Sequence, residues 1–331
     1  MTKLPMRKLV LLLAIAVLLC VYILQLAFTG RSTVKNAELS ATPDALNVQV
    51  GQDESQAVSL VQKNGSWFVG QKEYPADENS VSALLNAIKT VRLLGVSAQS
   101  AGSEADARRY GLDDESKILV QVFKDGVELR TLTVGKNTST GSQCYVQLDG
   151  KSTVYLAGDA LHTVFSTSVD SLRSKSLYSV ESALIASITV ASTEGTFTLQ
   201  KTEAAPDLTA AASPDEQPTM SAPQTAWLLE QNGAAFSAPI SSEKVESWLY
   251  TIATLRAASW DDDAQLPPEE QTVARISFAA AGKVHKINLF ALYDDEERFL
   301  CSSSDSPYPF YLANATAQKF IKTPADFVDE Q

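Results

Sequence analysis

Ser241-Ser242-Glu243-Lys244 is the one run in this chain whose residue types and spacing match a covalent mechanism. In an S-x-x-K motif the serine is the nucleophile, and the lysine lies one helical turn away, close to its proton. Penicillin-recognising enzymes complete that site with S-D-N and K-T-G, and neither motif occurs in these 331 residues. The same four-residue pattern also arises at residues 32–35, where nothing else supports it. The other chemistry-bearing residues are sparse. His162 and His285 are the only histidines, too few and too scattered for a Ser-His-Asp triad or a multi-histidine metal site. There is no G-x-S-x-G, no Walker loop and no H-E-x-x-H.

Carboxylates gather at Asp113-Asp114-Glu115, Asp261-Asp262-Asp263 and Asp294-Asp295-Glu296-Glu297. Calcium takes six to eight oxygens, but none of these runs has EF-hand spacing, and consecutive acids do not all face one ion. Solvated turns are the simpler reading. Cys144 and Cys301 fall on strands that correspond between two halves of the chain, which leaves open either an interdomain disulfide or two buried thiols. No cofactor motif is present. A formal charge of −12, from 39 acids against 27 bases, argues against nucleic-acid or anionic-lipid partners, whose phosphates need clustered Lys and Arg.

Placement is written at the N-terminus. Lys3, Arg7 and Lys8 precede an uncharged apolar run over residues 9–28, in which Gln25 is the only strongly polar residue. About 20 such residues at 1.5 Å each cross a hydrocarbon core of roughly 30 Å. The run exceeds a signal-peptide core of about 7–15 residues and continues past Cys20, so an uncleaved anchor is expected. Three basic residues before it against Arg31 and Lys35 after it place the N-terminus in the cytoplasm and the body outside.

The body reads as one plan written twice. Around residues 67–94 a strand ending Ser66-Trp67-Phe68-Val69 leads through Tyr74-Pro75-Ala76-Asp77 into a helix. Val81, Leu84, Leu85, Ile88 and Val91 hold one face of a 3.6-residue period. Shifted by 164 positions, Pro239, Ser241, Val245, Trp248, Leu249, Ile252 and Leu255 repeat the breaker, the cap and the face. Ser241 therefore takes the place of Asp77 as a helix N-cap, which is a structural role for the serine of the S-x-x-K run. Asp159 and Asn314, 155 positions apart, each start a short closing helix. Residues 203–224, rich in Ala, Pro, Ser and acids, resemble a linker in composition. The matching strands on either side make them an inserted, mobile hairpin loop within the second copy.

The expected fold is α+β: two tandem repeats, each an antiparallel sheet with a long helix and a short closing helix, behind one transmembrane helix. The expected segments are a cytoplasmic 1–8, an anchor 9–28, a tether 29–45, and repeats 46–178 and 179–331.

Trp67, the Tyr74-to-Asp77 turn with its helix, Tyr110-Gly111-Leu112-Asp113, Cys144-Tyr145-Val146 and Val154-Tyr155-Leu156 together resemble a bacterial family, domain of unknown function 4340. The resemblance spans most of residues 46–330 and is best in the first half. It implies a membrane-anchored protein found beside gliding-motility-type ABC transporters, and it carries no catalytic residues. The expectation is a non-enzymatic extracytoplasmic interaction module, accessory to an ABC exporter or other envelope machinery. The alternative is a saccharide- or peptide-binding module that uses the groove between the repeats. Trp260, Tyr293, Tyr308 and Tyr311 are the candidate contacts for either.

Overall fold

A computed structural model describes residues 15, 17–21, 36–53, 57–203, 225–290 and 298–328. Among these, no helix is long and apolar enough to cross a membrane. Most of the apolar run over 9–28 lies outside the described residues, as do all of 204–224 and Tyr293. The chain divides into two units after Ser174.

The first unit contains, in order, β1 (Ala37–Glu38), β2 (Ala45–Val50), β3 (Val58–Lys63), β4 (Ser66–Val69), β5 (Tyr74–Pro75), α1 (Glu78–Lys89), β6 (Thr90–Val91) and β7 (Leu93–Ala98). It continues with α2 (Glu104–Tyr110), β8 (Ile118–Lys124), β9 (Val127–Asn137), β10 (Cys144–Leu148), β11 (Val154–Ala157), α3 (Leu161–Phe165) and α4 (Val169–Leu172). The second unit contains β12 (Ser176–Ser179), β13 (Ser187–Ser192), β14 (Gly195–Glu203), β15 (Thr225–Gln231), β16 (Ala234–Ala235), α5 (Ser242–Ile252), β17 (Thr254–Arg256) and β18 (Ser259–Trp260). Then come β19 (Thr272–Ala280), β20 (Lys283–Phe290), β21 (Arg298–Ser303), β22 (Ser306–Ala313) and α6 (Asn314–Ala317).

Each unit builds one nine-stranded sheet, β5-β4-β3-β2-β8-β9-β10-β11-β7 in the first and β16-β15-β14-β13-β19-β20-β21-β22-β18 in the second. The two orders are the same, strand for strand, and every ladder is antiparallel. A two-stranded ribbon recurs as well, β1 on β6 and β12 on β17. The class is α+β with a duplicated sheet.

Tight turns carry the hairpins. Asn64-Gly65, Asp125-Gly126, Asp149-Gly150, Asn232-Gly233 and Ala281-Gly282 all take positive φ, the backbone that two-residue hairpin turns require. Strand alternation then sorts the side chains: in β8, Ile118, Val120 and Val122 are buried while Leu119 and Gln121 lie at intermediate exposure. On α1, Val81, Leu84 and Ile88 face inward; on α5, Val245, Trp248, Leu249 and Ile252 do. Burying each of these stabilises its unit by roughly 1.5–3 kcal/mol relative to exposure.

Several boundaries differ from expectation for physical reasons. The first unit ends at Ser174 rather than 178, because β12 hydrogen-bonds to β17 and so belongs to the second sheet system. The stretch expected as tether holds β1, whose Ala37 and Glu38 carbonyls accept from the buried Arg130 guanidinium at 2.8 and 2.9 Å. Val91 and Leu255 are buried but stand on β6 and β17, just past the helices whose period they continue. The strands on either side of residues 204–224 are neighbours, since β14 and β15 pair directly from Glu203–Thr225 to Phe197–Gln231; the expected mobile loop itself lies outside the described residues.

Candidate functional site

Each unit opens a cleft on its surface. In the first unit, a cleft of about 490 Å³ forms where α2 meets the ends of β7, β9 and β10. Its walls carry Arg109 and Tyr110 from α2, Lys136 and Asn137 from β9, and Tyr145 from β10. Ser97, Thr138 and Ser139 complete the lining, and no carboxylate is among it.

Local chemistry fixes this geometry. The Ser103 hydroxyl caps α2 by accepting from the Asp106 amide at 3.0 Å. Gly111 ends the helix in the left-handed region at φ 66°, with its N–H turned back to the Ala107 and Arg108 carbonyls. The helix end then presses on β9. A Cβ at Gly135 would stand 2.2 Å from the Tyr110 carbonyl oxygen, and one at Gly111 would stand 2.7 Å from the Lys136 nitrogen. Both glycines are therefore demanded by the close approach. Tyr110 packs edge-on to Tyr145 with ring centroids 4.9 Å apart, over a small core that includes Leu112 and Val154.

Charge is distributed unevenly along α2. Arg108 is held by Glu104 at 2.6 Å, whereas Arg109 lies 5.7 Å from the Tyr110 ring centroid and forms no ion pair with any described residue. Lys136 is also without a described acidic partner. Asn137 donates from Nδ2 to Thr163 Oγ1 at 2.9 Å, which leaves its buried Oδ1 with no donor among the described residues.

In the second unit a cleft of about 720 Å³ runs between α5 and the chain after α6. Trp248 and Phe327 form its floor, and Lys244, Lys319, Lys322 and Asp326 stand around it. Trp248 Nε1 donates to the Lys319 carbonyl at 2.7 Å, fixing the ring. The S-x-x-K pair lies at this rim. Lys244 Nζ donates to the Val328 carbonyl at 2.7 Å, and the Ser241 amide donates to the Phe327 carbonyl at 2.9 Å. Lys244 is thus turned to the chain terminus and not to the serine. Ser241 does occupy the N-cap of α5, but its side chain makes no capping bond, unlike Asp77, which accepts from the Ser80 amide at 2.9 Å. Asp159 and Asn314 also miss their expected capping roles. Ala160 and Ala313 hold those positions, while Asp159 pairs with Arg92 at 3.4 Å.

Three of the aromatic candidates are visible. Trp260 packs against Phe310 at 5.9 Å and joins the second core from its rim. Tyr311 donates to Asp261 Oδ2 at 3.1 Å, beneath the Arg298 guanidinium at 4.1 Å. Tyr308 is half-buried on the same strand. Tyr293 lies outside the described residues. The acidic run at 294–297 does too, and among the described residues no group of three or more His, Cys, Asp or Glu could hold a metal ion.

Cys144 and Cys301 are both buried free thiols. Their positions are two residues out of step: Cys301 faces Leu289 as Val146, not Cys144, faces Val134. Burial pushes both thiols above the usual range.

The match to known families is decided over residues 67–271, which fit the family model for domain of unknown function DUF4340 across well over half of the chain. The chain belongs to the DUF4340 family. No curated protein and no solved structure matches it. The DUF4340 match contains the whole lining of the first-unit cleft and Trp260, and stops short of Tyr308 and Tyr311. In the sequence, Tyr110 and Tyr145 stand out only through the motifs shared with the family. Arg109 and Lys136 carry no mark of their own, because 27 positions separate them and no periodicity links them, and Asn137 stands out only as the start of an Asn-x-Ser triplet. The one sequence signal for Arg109 is the run Arg108-Arg109-Tyr110-Gly111, a doubled cation ahead of a helix-ending glycine.

Proposed function

We propose that this DUF4340 protein is a membrane-anchored, extracytoplasmic, non-enzymatic module that binds another envelope protein, with an ABC exporter as the partner. The anchor is the apolar run over 9–28 behind Lys3, Arg7 and Lys8, long enough to span a bilayer as a helix. The partner class comes from the family resemblance. The observation that carries protein binding is the surface of α5. Tyr250 stands 78% exposed on the helix whose Trp248 floors the 720 Å³ cleft. An exposed tyrosine on a helix that also floors a preformed cleft is the anchor chemistry of protein interfaces.

Crosslinking in intact membranes followed by capture of the full chain tests this reading. An ABC-transporter subunit should be recovered, and Tyr250→Asp should lower its yield roughly tenfold, as loss of an interface anchor does. Recovery of no envelope protein, or equal recovery with Y250D, would sink it. Topology has a separate test. Protease added to intact protoplasts should remove the chain beyond Lys35, and full protection would refute the extracytoplasmic placement.

A further inference from the structure

We propose that the cleft over Tyr110 and Tyr145 binds a sugar unit bearing a carboxylate, whether free or within a glycan. The site is independent of the α5 surface and of any partner seated there. Its argument begins with charge. In a chain of net charge −12, Arg109 and Lys136 converge on one cleft that holds no carboxylate. Arg108, one residue before, is neutralised by Glu104, which leaves Arg109 as the cation of that turn directed to a ligand. Both cations stand where α2 ends, so the carbonyl end of the helix adds to their favourable placement and not to the ligand's.

The remaining lining sets the ligand class. Ser97, Thr138, Ser139 and Asn137 offer hydroxyl and amide groups, which match the hydroxyls of a sugar better than they match a bare inorganic anion. Tyr145 is half-buried and meets the 8%-exposed Tyr110 edge-on, so aromatic surface is available to the C–H face of a pyranose ring. At about 490 Å³ the cleft lies within the ~300–1,000 Å³ range of small-molecule sites. Two cations are too few to track a nucleic-acid backbone. An extended peptide would take main-chain bonds along the free edge of β7, whereas the groups that converge here are side chains.

The duplication supplies a second, independent argument. Where the first unit places Gly135 and Tyr145, the register of the second places Phe290 and Leu300, and no counterpart of α2 is present there. The connection after β18 carries Asp261, Asp262 and Asp263 instead. The scaffold is shared, and the first copy departs from it by docking a helix that brings a cation and a tyrosine to one place. Gly135 is the concession that lets the helix approach.

Saturation-transfer NMR and calorimetry on the purified full chain, with sodium glucuronate and galacturonate as probes, test the proposal. Ring protons of at least one uronate should receive saturation, and glucose should bind several-fold more weakly. Arg109→Gln and Lys136→Gln should each weaken uronate binding about two- to fivefold, the worth of an exposed ion pair. Tyr145→Ala should abolish the ring-proton signal. Lys151→Gln, which removes a cation at the other end of the β10–β11 hairpin, should change nothing. All variants should keep the wild-type circular dichroism spectrum. Binding unchanged in the double variant R109Q/K136Q would overturn the site. Sulfate binding as tightly as the uronates, an acidic peptide binding more tightly, equal binding of glucose, or no binding of either uronate would each overturn the ligand class.

Discussion

Asp305 accepts from a lysine and a histidine side chain while only 1% of its own side chain is exposed. Oδ2 takes a hydrogen bond from His285 Nδ1 at 2.9 Å, and Oδ1 pairs with Lys283. Desolvation by burial opposes the charge, but the bonds from Lys283 and His285 outweigh it and hold the carboxyl below its ordinary value of 3.8. An ionised carboxylate only accepts, so His285 carries its proton on Nδ1. Tyr178 and Phe278 pack on the imidazole at 4.9 and 5.0 Å. His285 occupies the place that Arg130 takes in the first unit, opposite Phe278 as Arg130 is opposite Val122. Each of these buried side chains reaches an aspartate in the next hairpin turn, Asp149 for Arg130 at 3.8 Å. Because the folded-state pKa of Asp305 is depressed, its stabilisation is present above pH 3.8 and is lost as pH falls through the lower folded value. Asp305→Ala should therefore destabilise the second unit by about 1–3 kcal/mol at neutral pH and flatten its acid sensitivity, as read by denaturant titrations at several pH values. Gly135 makes the complementary residue-scale case. Gly135→Ala forces a Cβ against the Tyr110 carbonyl, and an overpacked contact of this kind costs about 1–3 kcal/mol. Hydrogen exchange over residues 104–112 should rise in that variant.

At the scale of elements, the two long helices look alike in sequence and start differently in structure. Asp77 accepts two bonds from Ser80, through its amide at 2.9 Å and its hydroxyl at 3.0 Å. Ser241 holds the same place with no such bond, and the α5 start is tied instead by its own amide to the Phe327 carbonyl. Asp77→Ala should thus cost ~1 kcal/mol, and Ser241→Ala no more than a few tenths. Thermal melts of the two variants separate the cases, and equal losses would show that position alone matters. The two long helices, their buried faces and the hairpins were readable because local period and turn chemistry encode them, whereas the seven-residue α2 was not among the expected elements. Asn64-Gly65 and Asp149-Gly150 announce their turns in two letters. The start of α3 was not readable, since Asp159 is a good cap by type but is engaged by Arg92, a residue 67 positions away. The strand at 37–38 was equally hidden: two residues carry no period, and Arg130 and β6, both distant in sequence, hold them in place.

At the scale of the molecule, each unit has its own sheet, and in the second unit the core is contiguous from Tyr178 to Phe327. A chain beginning at Lys175 is expected to fold by itself, with a strand-rich circular dichroism spectrum and one cooperative thermal transition. A molten or aggregated product would show that the second unit depends on the first.

The sequence by itself determined the duplication, the antiparallel sheets, the placement of the two long helices and the family, because each is written in spacing between near neighbours or in motifs that repeat at a fixed offset. Only the tertiary structure decided which residues meet. Arg109, Lys136 and Tyr145 come together because Gly111 and Gly135 let α2 close onto β9, and that depends on a contact across the fold. The partner of Lys244 in the S-x-x-K run was hidden for the same reason, since its ammonium donates to the Val328 carbonyl 84 positions away. Local pattern fixes what a segment becomes. Long-range packing fixes what its side chains can reach.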